Sequence, residues 1–309
     1  MRLLIVDPDP SAYLNLLKDV PTLQIANVDA ATDLASIAEP CDIWLGSPDL
    51  MADLLREGLR PRWAQSTWAG IKPLLDEELP RDYVLSRAVG VFGQVIGEYA
   101  LTYMLAHERS LLSRLQSQAH RRWDNALPGT LAGRCVLIVG AGDIGTTIGT
   151  MLKAFGCEVL GISRQVRPNE MMDEVGGMGR LSELAERADY VINLLPDTPH
   201  TRDVYDEGFF SRMKASGVFI NAGRGTAVVD ADLIAALGNG ELAGAVLDVF
   251  REEPLPADHP FWSTRGLIIT GHVAGPTLGP LMVNLFRENL QRWQCGKPLR
   301  GQVDFERGY

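Results

Sequence analysis

The chain is 309 residues long, with 46% hydrophobic and 22% charged residues and a formal net charge of −10. That length exceeds what one core usually serves, so two domains of ordinary globular composition are expected. The acidic balance argues against nucleic acid or an anionic membrane as main partner, though not against a local basic pocket.

Cys41, Cys135, Cys157 and Cys295 are scattered, with no Cys-x-x-Cys. They read as thiols of a reducing compartment, neither a disulfide framework nor a zinc site. Met1–Val6 carries an apolar run too short for a secretory segment and reads as a first strand, and no run reaches the length of a membrane span. A cytoplasmic protein without a bound metal is therefore expected.

Residues 1 to about 90 alternate strand-like and helix-like pieces. Leu3–Val6, Gln24–Val28, Ile43–Gly46, Trp63–Thr67 and Val84–Ser86 are strand candidates, and Ser11–Lys18 has leucines at helical spacing. This is the pattern of a small α/β unit with a parallel sheet. Asp7-Pro8-Asp9 is similar to an acidic metal pocket after a first strand, but a helix-starting turn is the simpler reading. From Gln94 to about Gln118, Ile96, Tyr99, Ala100, Tyr103, Met104, Leu111, Leu112 and Leu115 follow one helical stripe. That spacing predicts one long helix, placed as domain connector and dimer element. Asp124–Gly133 follows as a polar loop.

Cys135–Val139 is a short β-branched apolar run, and Gly140-Ala141-Gly142-Asp143-Ile144-Gly145 follows it without a gap. Ile144, Ile148, Met151, Leu152 and Phe155 then recur at helical spacing. Strand, tight turn and helix are the setting in which G-x-G-x-x-G has a mechanism. Gly140 permits the turn, Gly142 lets the backbone approach a pyrophosphate, and Gly145 lets helix and strand pack closely. The helix that starts at Asp143 and Ile144 turns its N-terminus, with its positive dipole end, toward the phosphates.

The end of the next strand discriminates between cofactors. An NAD site places an acid there, about twenty residues past the glycines, on the ribose 2′-hydroxyl. Here Gly161–Arg167 has no acid, but it has Ser163, Arg164 and Arg167. Guanidinium groups bind a 2′-phosphate through charge-assisted hydrogen bonds, so NADP(H) is preferred over NAD(H). A solvated loop with surface arginines is the competing reading.

The βα rhythm then repeats. Strands are expected at Glu158–Ile162, Tyr190–Leu195, Val218–Asn221, Gly244–Val249 and Leu267–Thr270. Helices are expected at Leu181–Arg187, Phe209–Lys214, Ala231–Leu237 and Leu278–Trp293, before a polar surface tail at Gly301–Tyr309. A fingerprint that opens the second α/β unit suggests a split arrangement, in which the last helix would have to return to the first unit. Periodicity alone does not show that return.

Open α/β sheets bind ligands at the carboxyl ends of their strands. Those ends carry Asn193-Leu194-Leu195-Pro196, Asn221-Ala222-Gly223-Arg224-Gly225, Leu247-Asp248 with Glu253 five residues on, and Ile269-Thr270-Gly271-His272. Glycines on both sides leave the Arg224 fork free to reach a carboxylate. Glu253 and His272 form a candidate acid/base pair, because a carboxylate beside imidazole favours the imidazolium that can protonate a carbonyl oxygen. Spacing alone leaves open that Glu253 only starts a turn before Pro254 and that Arg224 pairs with a structural acid.

Together with Leu247-Asp248-Val249-Phe250, Glu253-Pro254-Leu255-Pro256, Gly301-Gln302-Val303-Asp304 and Arg307-Gly308-Tyr309, these stretches resemble the D-isomer-specific 2-hydroxyacid dehydrogenase family. The resemblance covers nearly the whole chain and is strongest to bacterial glyoxylate/hydroxypyruvate reductases. It implies that Arg224 binds and polarises a 2-oxo acid, Glu253 tunes the histidine, and His272 is the general acid/base. It implies that Asp248 holds the nicotinamide carboxamide, that Leu195, Pro196 and Ala222 adjoin the cofactor, and that backbone N–H groups at Ala69 and Gly70 meet the substrate carboxylate. Trp44, Trp68, Phe92 and Trp262 are candidates to line the substrate pocket, although core packing explains any one of them equally well.

The fold implied is α/β, with two Rossmann-like or flavodoxin-like parallel-sheet domains. A discontinuous substrate domain (1–93 and 280–309) flanks a cofactor domain (94–279), in a homodimer. The activity implied is NADPH-dependent reduction of glyoxylate and hydroxypyruvate to glycolate and D-glycerate. A dehydrogenase for another D-2-hydroxy acid, such as D-lactate, and a nucleotide-sensing binding protein without turnover are the alternatives. Two departures stand out: Gly271 replaces the family's usual proline before the histidine, and Gly275–Pro280 is less typical.

Overall fold

Short, nearly continuous apolar runs such as Arg2–Val6 and Cys135–Val139 are what a strand buried on both faces requires, and they assemble here into parallel sheets. The computed structural model describes residues 1–28 and 41–308. These fall into two compact units, Met1–Phe92 with Thr277–Tyr309, and Gly93–Pro276.

The first unit carries β1 (Arg2–Val6), α1 (Ser11–Leu17), β2 (Gln24–Val28), β3 (Ile43–Gly46), α2 (Pro48–Arg56), β4 (Trp63–Ser66) and β5 (Val84–Ser86). Its five strands run parallel in the order β2-β1-β3-β4-β5. Pro48 opens α2 at a position whose N–H would have no helical partner anyway. Asp7-Pro8-Asp9 is the turn into α1: Asp7 accepts the Asp9 N–H at 3.2 Å, and Asp9 accepts the Ser11 hydroxyl at 2.5 Å.

The second unit begins with α3 (Gly93–Glu108) and α4 (Leu111–Ala119). It continues through β6 (Cys135–Val139), α5 (Asp143–Ala154), β7 (Glu158–Ile162), β8 (Glu174–Gly176), α6 (Leu181–Arg187) and β9 (Tyr190–Asn193). It ends with α7 (Glu207–Phe210), β10 (Val218–Asn221), α8 (Asp230–Asn239), β11 (Gly244–Leu247) and β12 (Leu267–Ile269). The order β12-β11-β10-β9-β6-β7-β8 is parallel throughout and reverses direction between β6 and β9. α3 packs on α5 through small residues: a side chain at Gly97 would meet Met151 Sδ at 2.4 Å.

The last helix, α9 (Gly279–Gln294), belongs to the first unit. Phe286 and Trp293 stack on Trp63 of β4 at 5.3 and 5.8 Å. The Asn289 amide donates to Gln65 at 2.8 Å and accepts the Arg300 N–H at 2.8 Å. These contacts supply the return that periodicity could not show.

Several expected elements are corrected. The single helix over 94–118 is two helices, because Ser110 takes a left-handed φ of 49° and ends α3. Leu111, Leu112 and Leu115 consequently lie on a separate helix and are exposed. The helix expected at Phe209–Lys214 is a single turn, Glu207–Phe210, whose N-cap Asp206 accepts the Phe209 N–H. β8 lacks an apolar run to announce it. The tail is no mere surface strip, since Val303 is buried and Phe305 sits edge-on to Tyr83 at 5.5 Å; Tyr309 lies outside the described residues. Among the described residues no helix is long and apolar enough to cross a membrane.

Candidate active site

In the second unit the glycine turn leaves the carboxyl end of β6, where the strand order reverses and open α/β sheets have their crevice. Gly140 has φ 110°, a conformation in which a side chain would be strained and would meet the Leu194 backbone at 3.0 Å. At Gly145 a Cβ would lie 2.6 Å from the Gly140 carbonyl oxygen, so glycine is required for α5 to approach β6. At Gly142, the N-cap of α5, an added Cβ would meet nothing within 4 Å. That open space, next to the first-turn N–H groups at Asp143 and Ile144, suits the oxygens of a pyrophosphate.

A pocket of about 520 Å³ opens beside this turn, lined among others by Thr146, Ser163, Gln165, Arg167, Asn169 and Glu170. Arg164 is exposed and is not among the lining residues. Glu170 escaped the sequence reading, which looked for an acid only at the strand end. It brings a negative charge to the same pocket as Arg167.

Farther along the sheet, the register sets Asn193 of β9 directly beside Asn221 of β10. Both are fully buried. The Asn193 amide donates to Asn221 Oδ1 at 2.8 Å, while Asn193 Oδ1 accepts the Leu195 N–H at 3.0 Å and the Tyr205 hydroxyl at 2.9 Å. Asn221 Oδ1 also accepts the Gly223 N–H at 3.1 Å, and its amide donates to the Arg224 carbonyl at 3.1 Å. One amide pair thus shapes both the Leu195-Pro196 loop and the Ala222–Arg224 loop. Its signal was available in the sequence: asparagine closes two strands of the same sheet.

The glycines around Arg224 have a different reason from the one expected. A Cβ at Gly225 would sit 1.9 Å from the Phe250 backbone carbon, and one at Gly223 would sit 2.8 Å from the Asn193 amide. They exist so that the loop can pack, and the fork is not left free: Arg224 Nη1 donates to the Gly223 carbonyl at 2.6 Å. Burial pulls the guanidinium below the usual arginine range, and nearby Glu253 and Asp197 pull it back up.

Glu253 serves two partners. One carboxylate oxygen accepts the Phe250 N–H at 2.8 Å, closing the turn, and the other lies 2.7 Å from His272 Nδ1. His272 is exposed and has a left-handed φ of 56°. Its backbone N–H donates to the Asp248 carbonyl at 2.8 Å. The Asp248 carboxylate, buried, accepts the Thr270 hydroxyl at 2.5 Å and the N–H groups of Val273 at 2.9 Å and Ala274 at 2.8 Å. The residue expected to hold a carboxamide therefore has both oxygens engaged by the histidine loop. The other histidines have separate settings: His107 stands edge-on to Tyr190, His120 contacts the Gln116 carbonyl, His200 lies in a turn, and His259 caps a short turn near Asp230.

In the first unit, Trp44 is 1% exposed and belongs to the core with Leu4, Met51 and Leu85. It is removed from the pocket-lining candidates, because a strand in the middle of a parallel sheet buries both faces. Phe92 is also buried, whereas Trp68 is exposed; in the second unit Trp262 is exposed. Ala69 and Gly70 follow β4 in a half-buried turn, and among the described residues their N–H groups meet no acceptor.

A family model described as D-isomer specific 2-hydroxyacid dehydrogenase, NAD binding domain, matches residues 101–274. A glyoxylate/hydroxypyruvate reductase A of Photorhabdus laumondii subsp. laumondii is 31% identical over 274 residues, 86% of this chain and 86% of that one. A D-isomer specific 2-hydroxyacid dehydrogenase family protein from Aeromonas salmonicida superposes with a TM-score of 0.92 at 36% identity, covering 98% of this chain and 99% of that one. An NADPH-dependent glyoxylate/hydroxypyruvate reductase from Sinorhizobium meliloti, solved with NADP and sulfate, superposes with a TM-score of 0.86 at 27% identity, covering 100% of both chains.

Asn221→Ala would leave the buried Asn193 amide and the Gly223 N–H without acceptors, at a cost of about 2–4 kcal/mol. Urea denaturation measures it, and an unchanged midpoint would show that the amide pair does not hold these loops.

Proposed function

The chain belongs to the D-isomer specific 2-hydroxyacid dehydrogenase family, and from that premise we propose that it reduces glyoxylate and hydroxypyruvate to glycolate and D-glycerate with NADPH. The observation that carries this reading is the 2.7 Å contact between Glu253 and His272 Nδ1, with Arg224 in the electrostatic reach of the same carboxylate.

Glu253 occupies Nδ1 of the ring, so Nε2 is the nitrogen that protonates the carbonyl oxygen. Arg224 takes the carboxylate of the 2-oxo acid. Its partial burial strengthens that pairing, because water competes less with the anion. When bound, NADPH would supply a hydride for C2 of the 2-oxo acid. Residues fit to hold it are the glycine turn for the pyrophosphate, Ser163 and Arg167 for the 2′-phosphate, and Leu195, Pro196 and Ala222 along the strand ends. Asp248 retains lone-pair capacity toward the carboxamide, but its first duty is to the histidine loop.

Initial rates on glyoxylate, hydroxypyruvate, pyruvate and phenylpyruvate, with NADPH and with NADH, test the activity. His272→Ala is expected to lower kcat by on the order of 1,000-fold while NADPH binding stays near normal. Retained turnover would remove the residue from the mechanism, higher rates on pyruvate would point to a D-lactate dehydrogenase, and no turnover at all would favour a nucleotide sensor.

NADP preference rests on Ser163 and Arg167 in the pocket and on the absence of an acid at the end of β7. Arg167→Asp is expected to weaken NADPH at least tenfold while changing NADH much less. Equal losses for both would contradict the assignment.

A second copy of the chain is the assigned partner. Leu112, Leu115, Trp123 and Leu127 are 54%, 53%, 93% and 95% exposed, and Arg114 ties the following segment to α4 through the Asp124 and Ala126 carbonyls at 3.0 and 2.6 Å. Apolar surface of this extent marks an association site. Sedimentation should give a dimer for the native chain and a monomer for Trp123→Asp/Leu127→Asp; a native monomer would refute it.

A further inference from the structure

We propose that Tyr99, on α3, is a positioning residue for His272, acting through a chain of hydrogen bonds that takes over the rigidity a proline would have supplied at position 271. The inference rests on the reading of His272 as the acid/base group. The Tyr99 hydroxyl lies 2.8 Å from Thr270 Oγ1, and Thr270 Oγ1 lies 2.5 Å from Asp248 Oδ1. A threonine hydroxyl has one proton, and an ionised carboxylate only accepts. Thr270 therefore donates to Asp248, which fixes Tyr99 as the donor to Thr270. Burial raises the Tyr99 phenol well above its usual range, so it keeps that proton across neutral pH. Tyr103 stands edge-on to the Tyr99 ring at 4.8 Å and limits its swing.

The chain ends on both sides of the histidine. Asp248 holds Thr270 before it and Val273 and Ala274 after it, and its carbonyl takes the His272 N–H. His272 is held at φ 56°, a conformation that an L-residue keeps only when its surroundings impose it. Gly271 contributes nothing to that restraint: an added Cβ would meet nothing within 4 Å, and among the described residues its N–H has no acceptor. A proline at 271 would therefore remove no backbone hydrogen bond and meets no obstacle at its Cβ. Neither Glu253 nor the sheet reaches Thr270 Oγ1, so the donor that orients this hydroxyl toward Asp248 comes from α3.

Tyr99→Phe keeps the ring and removes the donor. The expected result is a fall in kcat of about tenfold, with the NADPH dissociation constant within about twofold of native. Hydrogen–deuterium exchange of the peptide spanning 270–276 should accelerate in the variant. Tyr99→Phe/Gly271→Pro should recover both the slow exchange and most of kcat, which a tyrosine that merely packs would not produce. Native kcat in Tyr99→Phe, unchanged exchange, or failure of the proline to recover either would overturn the proposal. If the native chain reduces no 2-oxo acid, the functional reading fails while the exchange experiment still decides whether Tyr99 orders the loop.

Discussion

One buried carboxylate organises the chemistry of the second unit. Asp248 follows β11, takes its own N–H to the end of β10, and accepts three donors from the segment after β12. Three adjacent strand ends are thereby tied to a single residue. An ionised carboxylate buried to 1% exposure is tolerated only when its lone pairs are satisfied, so the constraint runs both ways. The loop needs Asp248 to hold its shape, and the buried oxygens of Asp248 need the loop's donors. Glu253 can then meet an imidazole whose backbone is already in place, and its second oxygen is occupied by the Phe250 N–H so that it does not wander.

What was legible in the sequence was local. The glycine turn, its strand and its helix lie within twenty residues, and Gly140 and Gly145 each have a steric reason visible in the backbone, while Gly142 faces open space. The break between α3 and α4 was hidden because apolar spacing continues across Ser110, while a left-handed residue leaves no mark in a hydrophobic pattern. Trp44 was misjudged because a tryptophan near a strand end looks the same whether it faces a ligand or a second layer of core. The Asn193–Asn221 pair and the Asp248 clamp join residues 28 and more than 20 positions apart, so only strand register brings them together. Both asparagines and the aspartate were singled out as strand-end polar groups; their partners were not.

The cofactor pocket shows the same division. The lack of an acid after β7 is a statement about one position, and the chain obeys it. Glu170 reaches the pocket from eight residues beyond that strand end and sets a negative charge in the same pocket as Arg167. The proposed selectivity for a phosphorylated ribose would thus be set by the difference between two opposing fields.

The interruption of the first unit by residues 93–276 imposes an order of events during synthesis. Among the described residues Trp63 stacks on Phe286 and Trp293 of α9, so this part of the first sheet lacks its aromatic cover when its strands are made. At about 5–20 residues per second, the intervening ~200 residues keep that face waiting for roughly 10–40 s. The second unit, continuous in the chain, has all its strands before then. The inserted unit therefore has its whole chain first, and the unit whose strands precede it closes last. Over that interval the Trp63 ring waits for the two aromatic partners that bury it in the folded unit.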